Sequence, residues 1–377
     1  MKKVLIIHAS AGAGHRKAAE ALKSSFSANP AQDLEVTLID ALDYTKNIFK
    51  KSYARVYIFL VTYVPFIWGI IFHFLNCELL MPVIRPIRFF FNAYYGKQLI
   101  EYVVKLQPDI IISEHFMAAQ LMANLKLKKR INSTVVCGVT DFGVHAFWIN
   151  PGTDYYLVAS DLTRDEIINK GVKPEQVFVT GIPVEGKFSQ TPDREGLFKK
   201  LELEPHKLTV LVASGGFGVG PIKEIISGLD QIETDLQIVV ICGKNKILFE
   251  DFKKETFIKK VNVFGYVHNM DEFMEVADLI VTKSGGLTVS ESLAKGLPML
   301  IIKPIPGQET RNAQVMEKYN TGIRLNNVKM IGKEVGLLLE NNQKLLIEMK
   351  ANTKKIAKPN ASDRICQWVK SDLLKMN

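Results

Sequence analysis

Short apolar runs alternate along the chain with segments of helical period. Runs at residues 4–7, 36–39, 110–112, 135–139, 155–158 and 177–179 are rich in Val, Ile and Leu and predict strands. A glycine-rich turn at 10–14 follows the first run and leads into a helical pattern over 15–26. After a polar, helical stretch at 191–203 the pattern restarts. Strands are predicted at 208–213, 237–241, 261–263, 279–281 and 299–302, with a second glycine-rich loop at 214–220. Strands that alternate with helices predict an α/β architecture. The repeated opening of strand, glycines and helix predicts two Rossmann-like halves, duplicated in fold and not in sequence. The last stretch, 362–375, is amphipathic and is expected to cross back over the cleft between them.

One block breaks the alternation. Residues 56–75 are almost continuously apolar, enough at helical rise to span about 30 Å. Predicted strands flank the block, so if they share one sheet the chain cannot cross a membrane between them. Pro65 and Gly69 would also kink a single span. Membrane-surface insertion, a packed helical hairpin and a lipid groove are the remaining readings. Phe66 and Trp68, beside Lys50, Lys51 and Arg55, favour the interface.

Charge points the same way. The 377 residues carry 48 basic and 39 acidic side chains, a net +9. Residues 44–130 hold twelve Lys/Arg against four acids, a net of +8 in that window alone. An acidic surface is the expected partner. Anionic lipid fits better than nucleic acid, because the basic residues flank an aliphatic block and no stacking platform interleaves with them. The length suits two domains, and 47% apolar residues give each a core. Cys77, Cys137, Cys242 and Cys366 lie far apart with no CxxC, which argues against a zinc ribbon, a redox pair or a disulfide scaffold and fits a reducing cytoplasm. The opening MKKVLIIH mimics a signal peptide for only a few residues before the glycine-rich turn.

Four constellations carry chemistry. In SAGAGH (10–15), the small residues, Gly14 among them, let a ligand approach a helix N-terminus closely. His15 would sit in the first turn, where the dipole keeps the imidazole neutral and fit to act as a general base; a helix-capping role is the bland alternative. In SGGFGVG (214–220), Gly215, Gly216 and Gly218 would expose amides to a diphosphate, and the missing Walker lysine excludes a P-loop NTPase. In TKSGGLTVSE (282–291), Gly285 and Gly286 free amides, Thr288 and Ser290 add hydroxyls, and Glu291 is poised to accept two ribose hydroxyls. In PIPGQE (304–309), Gln308 and Glu309 would read sugar hydroxyls.

Together with TDFGVHAFW (140–148), TGIPV (180–184) and GYV (265–267), these motifs make the sequence resemble the diacylglycerol glycosyltransferases: the bacterial processive glucosyltransferases and plant monogalactosyldiacylglycerol synthases of glycosyltransferase family 28. More remotely it resembles the enzyme that adds N-acetylglucosamine to lipid I. The resemblance covers nearly the whole chain and is weakest at 44–96. It implies a GT-B fold, two Rossmann-like domains facing across a cleft. Residues 1–190 would bind acceptor and membrane, 205–355 would bind the UDP-sugar, and 356–377 would form a helix crossing back.

By motif match, Glu291 would hold the ribose and the Val267 backbone would pair with uracil. Gly215, Gly216, Gly218 and the loop Ser284, Gly285, Gly286, Leu287, Thr288 would hold the diphosphate. Gln308 and Glu309 would contact the donor sugar. His15 would deprotonate the acceptor hydroxyl, giving the inverted β-glycoside. Asp141 and His145 would lie near the acceptor, although Asp141 could equally be a buried loop cap. No metal or other cofactor is expected: the chain has no DxD triplet, and amides with Lys283 can stabilise departing UDP. The implied reaction moves glucose or galactose from a UDP-sugar to diacylglycerol at the cytoplasmic face of a bacterial membrane, by a peripheral enzyme. Glu114-His115 departs from the bacterial pattern and leaves the sugar open. The alternatives are transfer of N-acetylglucosamine to a polyprenyl-linked acceptor, a nucleotide-sugar epimerase, and a UDP-sugar sensor without catalysis.

Overall fold

The computed structural model describes residues 1–375 except 11, 217 and 219, and except the side chains of 47, 48, 51, 53, 54, 57, 58 and 62. Its first elements are β1 (Lys2–His8), α1 (Ala13–Ala28), β2 (Leu34–Asp40), α2 (Asn47–Tyr63), α3 (Pro65–Leu75), α4 (Met81–Tyr95), α5 (Lys97–Leu106), β3 (Ile110–Ser113), α6 (Phe116–Leu127), β4 (Thr134–Gly138), β5 (Tyr155–Val158), α7 (Asp161–Asn169) and β6 (Val177–Val179). The six strands form one parallel sheet in the order β2-β1-β3-β4-β5-β6. Alternation along the strands splits the core. Val4, Ile6, Ile110, Ile112 and Val136 pack against Ala19, Leu22 and Phe26 of α1, while Leu5, Ile7, Ile111 and Val135 pack against α5 and α6 on the other face.

The chain continues through α8 (Arg194–Lys200), β7 (Leu208–Ala213), α9 (Ile222–Asp230), β8 (Leu236–Ile241), α10 (Lys246–Phe252), β9 (Lys260–Phe264), α11 (Met270–Val276), β10 (Leu279–Thr282), α12 (Gly286–Ala294), β11 (Met299–Ile302), α13 (Gln308–Lys318), β12 (Gly322–Leu325) and α14 (Ile331–Ile356), the last interrupted at 340–343. A second parallel sheet results, ordered β12-β11-β10-β7-β8-β9. The final helix, α15 (Ala361–Trp368), packs on α1: Ser25 bonds Asp363 at 2.5 Å, and Trp368 meets Tyr155 and Phe178. Two compact units follow. The first comprises Met1–Gly186, Ile305–Asn312 and Asn360–Asn377, the second Lys187–Pro304 and Ala313–Pro359.

The apolar block resolves into parts of two helices. Pro65 stands at the first position of α3, where its missing N–H costs nothing. Among the described residues no single helix is long and apolar enough to cross a membrane. Only the pair Pro65–Leu75 and Glu78–Tyr95 passes together, bent by 65°.

Candidate active site

In the first unit, His15 lies in the first turn of α1, next to Gly14, with Gly12 as an N-cap that offers no side-chain bond. Its Nδ1 is 2.7 Å from Thr140 Oγ1, just beyond the end of β4. Its ring meets the edge of His115 at 4.8 Å and lies 6.1 Å from Trp148. Burial pushes His15 down to about 4, so at neutral pH the imidazole is uncharged. His115 caps α6, its Nδ1 accepting from the Met117 N–H, and burial holds it well below the usual range as well. Glu114, fully buried beside it, is pushed by burial up to about 7.

The loop after β4 is latched by residues from the start of α13 that belong to the same unit. Asn312 accepts from the Phe142 and Gly143 N–H groups at 2.8 and 3.3 Å and donates to Asp141 Oδ1 at 3.1 Å. Arg311 pairs with Glu166 and donates to the Val144 carbonyl, whose own N–H goes to Glu166. Burial raises Asp141 to about 7 despite the Asn312 bond. Glu309 turns one carboxylate oxygen back onto the Ile305 N–H at 2.8 Å, and Gln308 precedes it, half-buried. His145, expected near the acceptor, spends both ring nitrogens inside the fold. Nδ1 accepts from Phe147 N–H and Nε2 bonds the Phe72 carbonyl, so the ring ties α3 to the loop.

The second unit gathers the predicted donor loops. Gly215 and Gly218 adopt φ of +71° and +59°. The Gly216 carbonyl accepts from Lys244 N–H, and a Cβ on Gly216 would first meet Tyr266 at 3.8 Å, so this stretch of backbone is open to a ligand. Lys244 lies 5.6 Å over the Tyr266 ring, adjacent to half-buried Val267. Ser284 is buried, Gly285 is the N-cap of α12 with its carbonyl accepting from Val289 N–H at 3.0 Å, and Gly286, Leu287 and Thr288 form its first turn. Ser290 turns its hydroxyl to the Gly286 carbonyl, and Glu291 is buried on the same helix. Tyr266 and Lys244 were not singled out in sequence. Their signal was the GYV motif and a second glycine turn at Gly243, φ +57°.

The lipid-facing residues divide. Phe66 is 77% exposed, and Arg55 is exposed on α2. Lys50 is held by Asp43, so its charge is partly offset. The Lys51 side chain lies outside the described residues. Trp68 is half-buried, its ring tilted 6.3 Å from that of Phe72, which in turn covers Gly307. A stronger feature is α4, which is amphipathic the wrong way round for a soluble helix. Val83, Ile87, Phe90, Phe91 and Tyr94 are exposed, Phe90 by 73%. The polar side faces inward, with Arg88 bonding Gln120 and Asn150 and Asn92 bonding Gln120.

Paired parallel sheets with glycine-opened helices define a GT-B glycosyltransferase fold, and the chain covers 100% of an Acinetobacter baumannii MurG structure, itself covered 100%, at TM-score 0.64 and 16% identity. Residues 15–184 match the model for monogalactosyldiacylglycerol (MGDG) synthase, and 209–365 match the glycosyltransferase family 28 C-terminal domain. The processive diacylglycerol beta-glucosyltransferase of Bacillus licheniformis is 36% identical over 73% of this chain and 72% of its own length. That of Bacillus thuringiensis is 32% identical over 97% and 93%. The chain belongs to the diacylglycerol glycosyltransferase family and is a UDP-sugar-dependent hexosyltransferase.

Proposed function

We propose that this protein transfers a hexose, glucose first, from its UDP-sugar to diacylglycerol at an anionic membrane surface on the cytoplasmic side. The observation that carries the reading is a neutral, half-buried His15 at a helix N-terminus in a chain related over nearly its full length to diacylglycerol glucosyltransferases. His15 takes the acceptor hydroxyl proton on its ring, which Thr140 and the Glu114 backbone carbonyl orient. The hydroxyl oxygen attacks C1 from the face opposite the phosphate. The C1–O bond breaks, its electron pair leaves with UDP, and the product is the β-glycoside. Amides of Gly215 and Gly216 and of the α12 start, with Lys244 and Lys283, offset the charge on UDP, so no metal is required; the Gly218 amide, expected to join them, is buried and donates instead to the Gly215 carbonyl at 3.1 Å. Glu291 holds the ribose, and Gln308 and Glu309 contact the sugar.

The test incubates the purified protein with diacylglycerol in anionic vesicles and UDP-glucose, UDP-galactose or UDP-N-acetylglucosamine, with EDTA present. Mass spectrometry should find hexosyl-diacylglycerol from UDP-glucose at an undiminished rate. Product only from UDP-N-acetylglucosamine on a polyprenyl carrier, or UDP binding with no product on either acceptor, sinks the reading.

The apolar outer face of α4, with its neighbours on α3, supports membrane docking by insertion at the interface. Each large apolar side chain moved from water into lipid contributes about 1.5–3 kcal/mol. Ile87→Glu with Phe90→Glu should therefore lower binding to anionic vesicles by at least about 10²-fold. Arg55→Glu should weaken it at low salt, and Lys50→Glu less, because Asp43 already offsets that charge. Co-sedimentation measures all three, and unchanged binding of the double variant removes α4 from the docking surface.

A further inference from the structure

Glu114 is a buried acid with no evident structural use. Its residue is fully buried, and among the described residues neither carboxyl oxygen has a hydrogen-bond partner. Folded proteins rarely tolerate such a group without a reason, because desolvating a carboxyl costs stability that no bond returns.

Its position suggests the reason. Ile7 pairs with Ser113 and Ser113 with Cys137 across three parallel strands, and the Glu114 N–H continues the ladder to the Ile7 carbonyl at 2.8 Å. One residue further on, His8, Glu114 and Gly138 form a row at the carboxyl ends of β1, β3 and β4. Strand alternation turns that row to the face covered by α1, since Ile6, Ile112 and Val136 two residues earlier pack on that helix. The carboxyl lies flat on Gly138: a Cβ there would stand 2.6 Å from both Cδ and Oε2. Two residues beyond Gly138, Thr140 holds His15, and the residue after Glu114, His115, meets the His15 ring at 4.8 Å. His8, also buried, has its Nδ1 without a partner among the described residues. The floor beneath the base thus holds an unspent acid seated where the sheet omits a side chain.

We infer that Glu114 is a positioning residue for His15, its carboxylate balancing the imidazolium that forms when the acceptor hydroxyl gives up its proton. The proton stays on His15, the carboxylate remains ionised, and UDP carries away the electron pair of the broken C1–O bond. An imidazolium in a buried site needs a nearby anion as much as it needs orientation. This rests on His15 as the base. The titratable groups around Glu114 are His8, beside it in the row, His115, next in the chain, His15, whose ring bonds the Glu114 backbone carbonyl, and Cys137, on the other face of β4.

Glu114→Gln keeps shape and removes charge. Its kcat should fall about 10²-fold, with acceptor KM and UDP affinity within twofold and thermal stability equal or higher. A variant with wild-type kcat at every pH from 6 to 9, while His15→Ala is inactive, overturns the inference and leaves the base intact. An active His15→Ala overturns the base itself. A second measurement does not need Glu114→Gln: imidazole NMR shifts of His15 should move with a step near 7 in the wild type and equally in Asp141→Asn. Burial drives His8 and His115 down and Cys137 up but raises Asp141 to about 7 as well, so a step that survives Asp141→Asn belongs to Glu114. No step in the His15 signals overturns the inference even if Glu114→Gln fails to fold.

Discussion

Replacing His15 by alanine is expected to lower kcat by about 10²–10⁴-fold, the range that a positioned general base contributes. UDP affinity should change by less than twofold, because the predicted diphosphate and ribose contacts belong to the second unit and His15 to the first. The sign of the pH dependence follows from burial, which lowers the imidazole to about 4. At pH 7 nearly every molecule carries the neutral ring a base needs. His15 itself keeps its lone pair until pH drops toward 4, so a fall in activity nearer 7 belongs to another group, Glu114 in the inference above. Steady-state kinetics across that range, with UDP binding by calorimetry, make the check. If His15→Ala loses UDP binding and cooperative unfolding together with turnover, the ring is a helix-capping element and the base lies elsewhere.

The parts of this site that were legible in sequence are those whose chemistry is local. Glycines in SGGFGVG, small residues before His15 and the glycines opening α12 announce backbone exposure wherever the chain lies. Strands such as 155–158 and 177–179 were readable because buried parallel strands are continuous Val/Ile/Leu/Tyr runs. Helix α6 was not read: eight of its twelve residues are buried, so no polar face marks its period. Between the apolar block and β3 the chain forms several helices, separated at 76–80 and at Gly96, which no alternation in the sequence marks. Strand β12 is four residues long with Arg324 in it, too little to register. Roles made by long-range contact were invisible. Nothing near Asn312 predicts that it would receive the amides of Phe142 and Gly143, and nothing in His145 predicts a carbonyl of α3 as its partner. The half-burial of Trp68 was not legible either, because aromatic composition marks an interface without saying which side of a helix meets it. The inverted α4 carries that signal more directly, as apolar positions 83, 87, 90, 91 and 94 interleaved with Arg85, Arg88 and Asn92.

Gly218→Ala should cost the second unit about 2–3 kcal/mol, the upper part of the range for left-handed backbone strain, and lower UDP affinity at least about 10-fold. Two causes add. The residue sits at φ +59°, where a side chain is strained whatever the space. A Cβ would also overlap the Cys242 carbonyl oxygen, a backbone atom that cannot swing aside, and reach Asn245 Cβ at 3.0 Å. That carbonyl accepts from Asn245 N–H at 3.2 Å, and Asn245 Nδ2 in turn donates to the Gly218 carbonyl at 3.1 Å. Pushing the two loops apart therefore breaks the brace that holds the amides in register. Gly216→Ala is the control: it has no positive φ, and its nearest neighbour is Tyr266 at 3.8 Å. Its stability should be nearly unchanged. If it nevertheless loses UDP affinity, the loop backbone must approach the diphosphate closely at Gly216 itself. If both variants bind UDP as the wild type does, this loop is not the diphosphate site, and the amides at the start of α12 hold the ligand alone. Vesicle binding, proposed above for the first unit, should be the same in both variants, so that a loss there would report general unfolding.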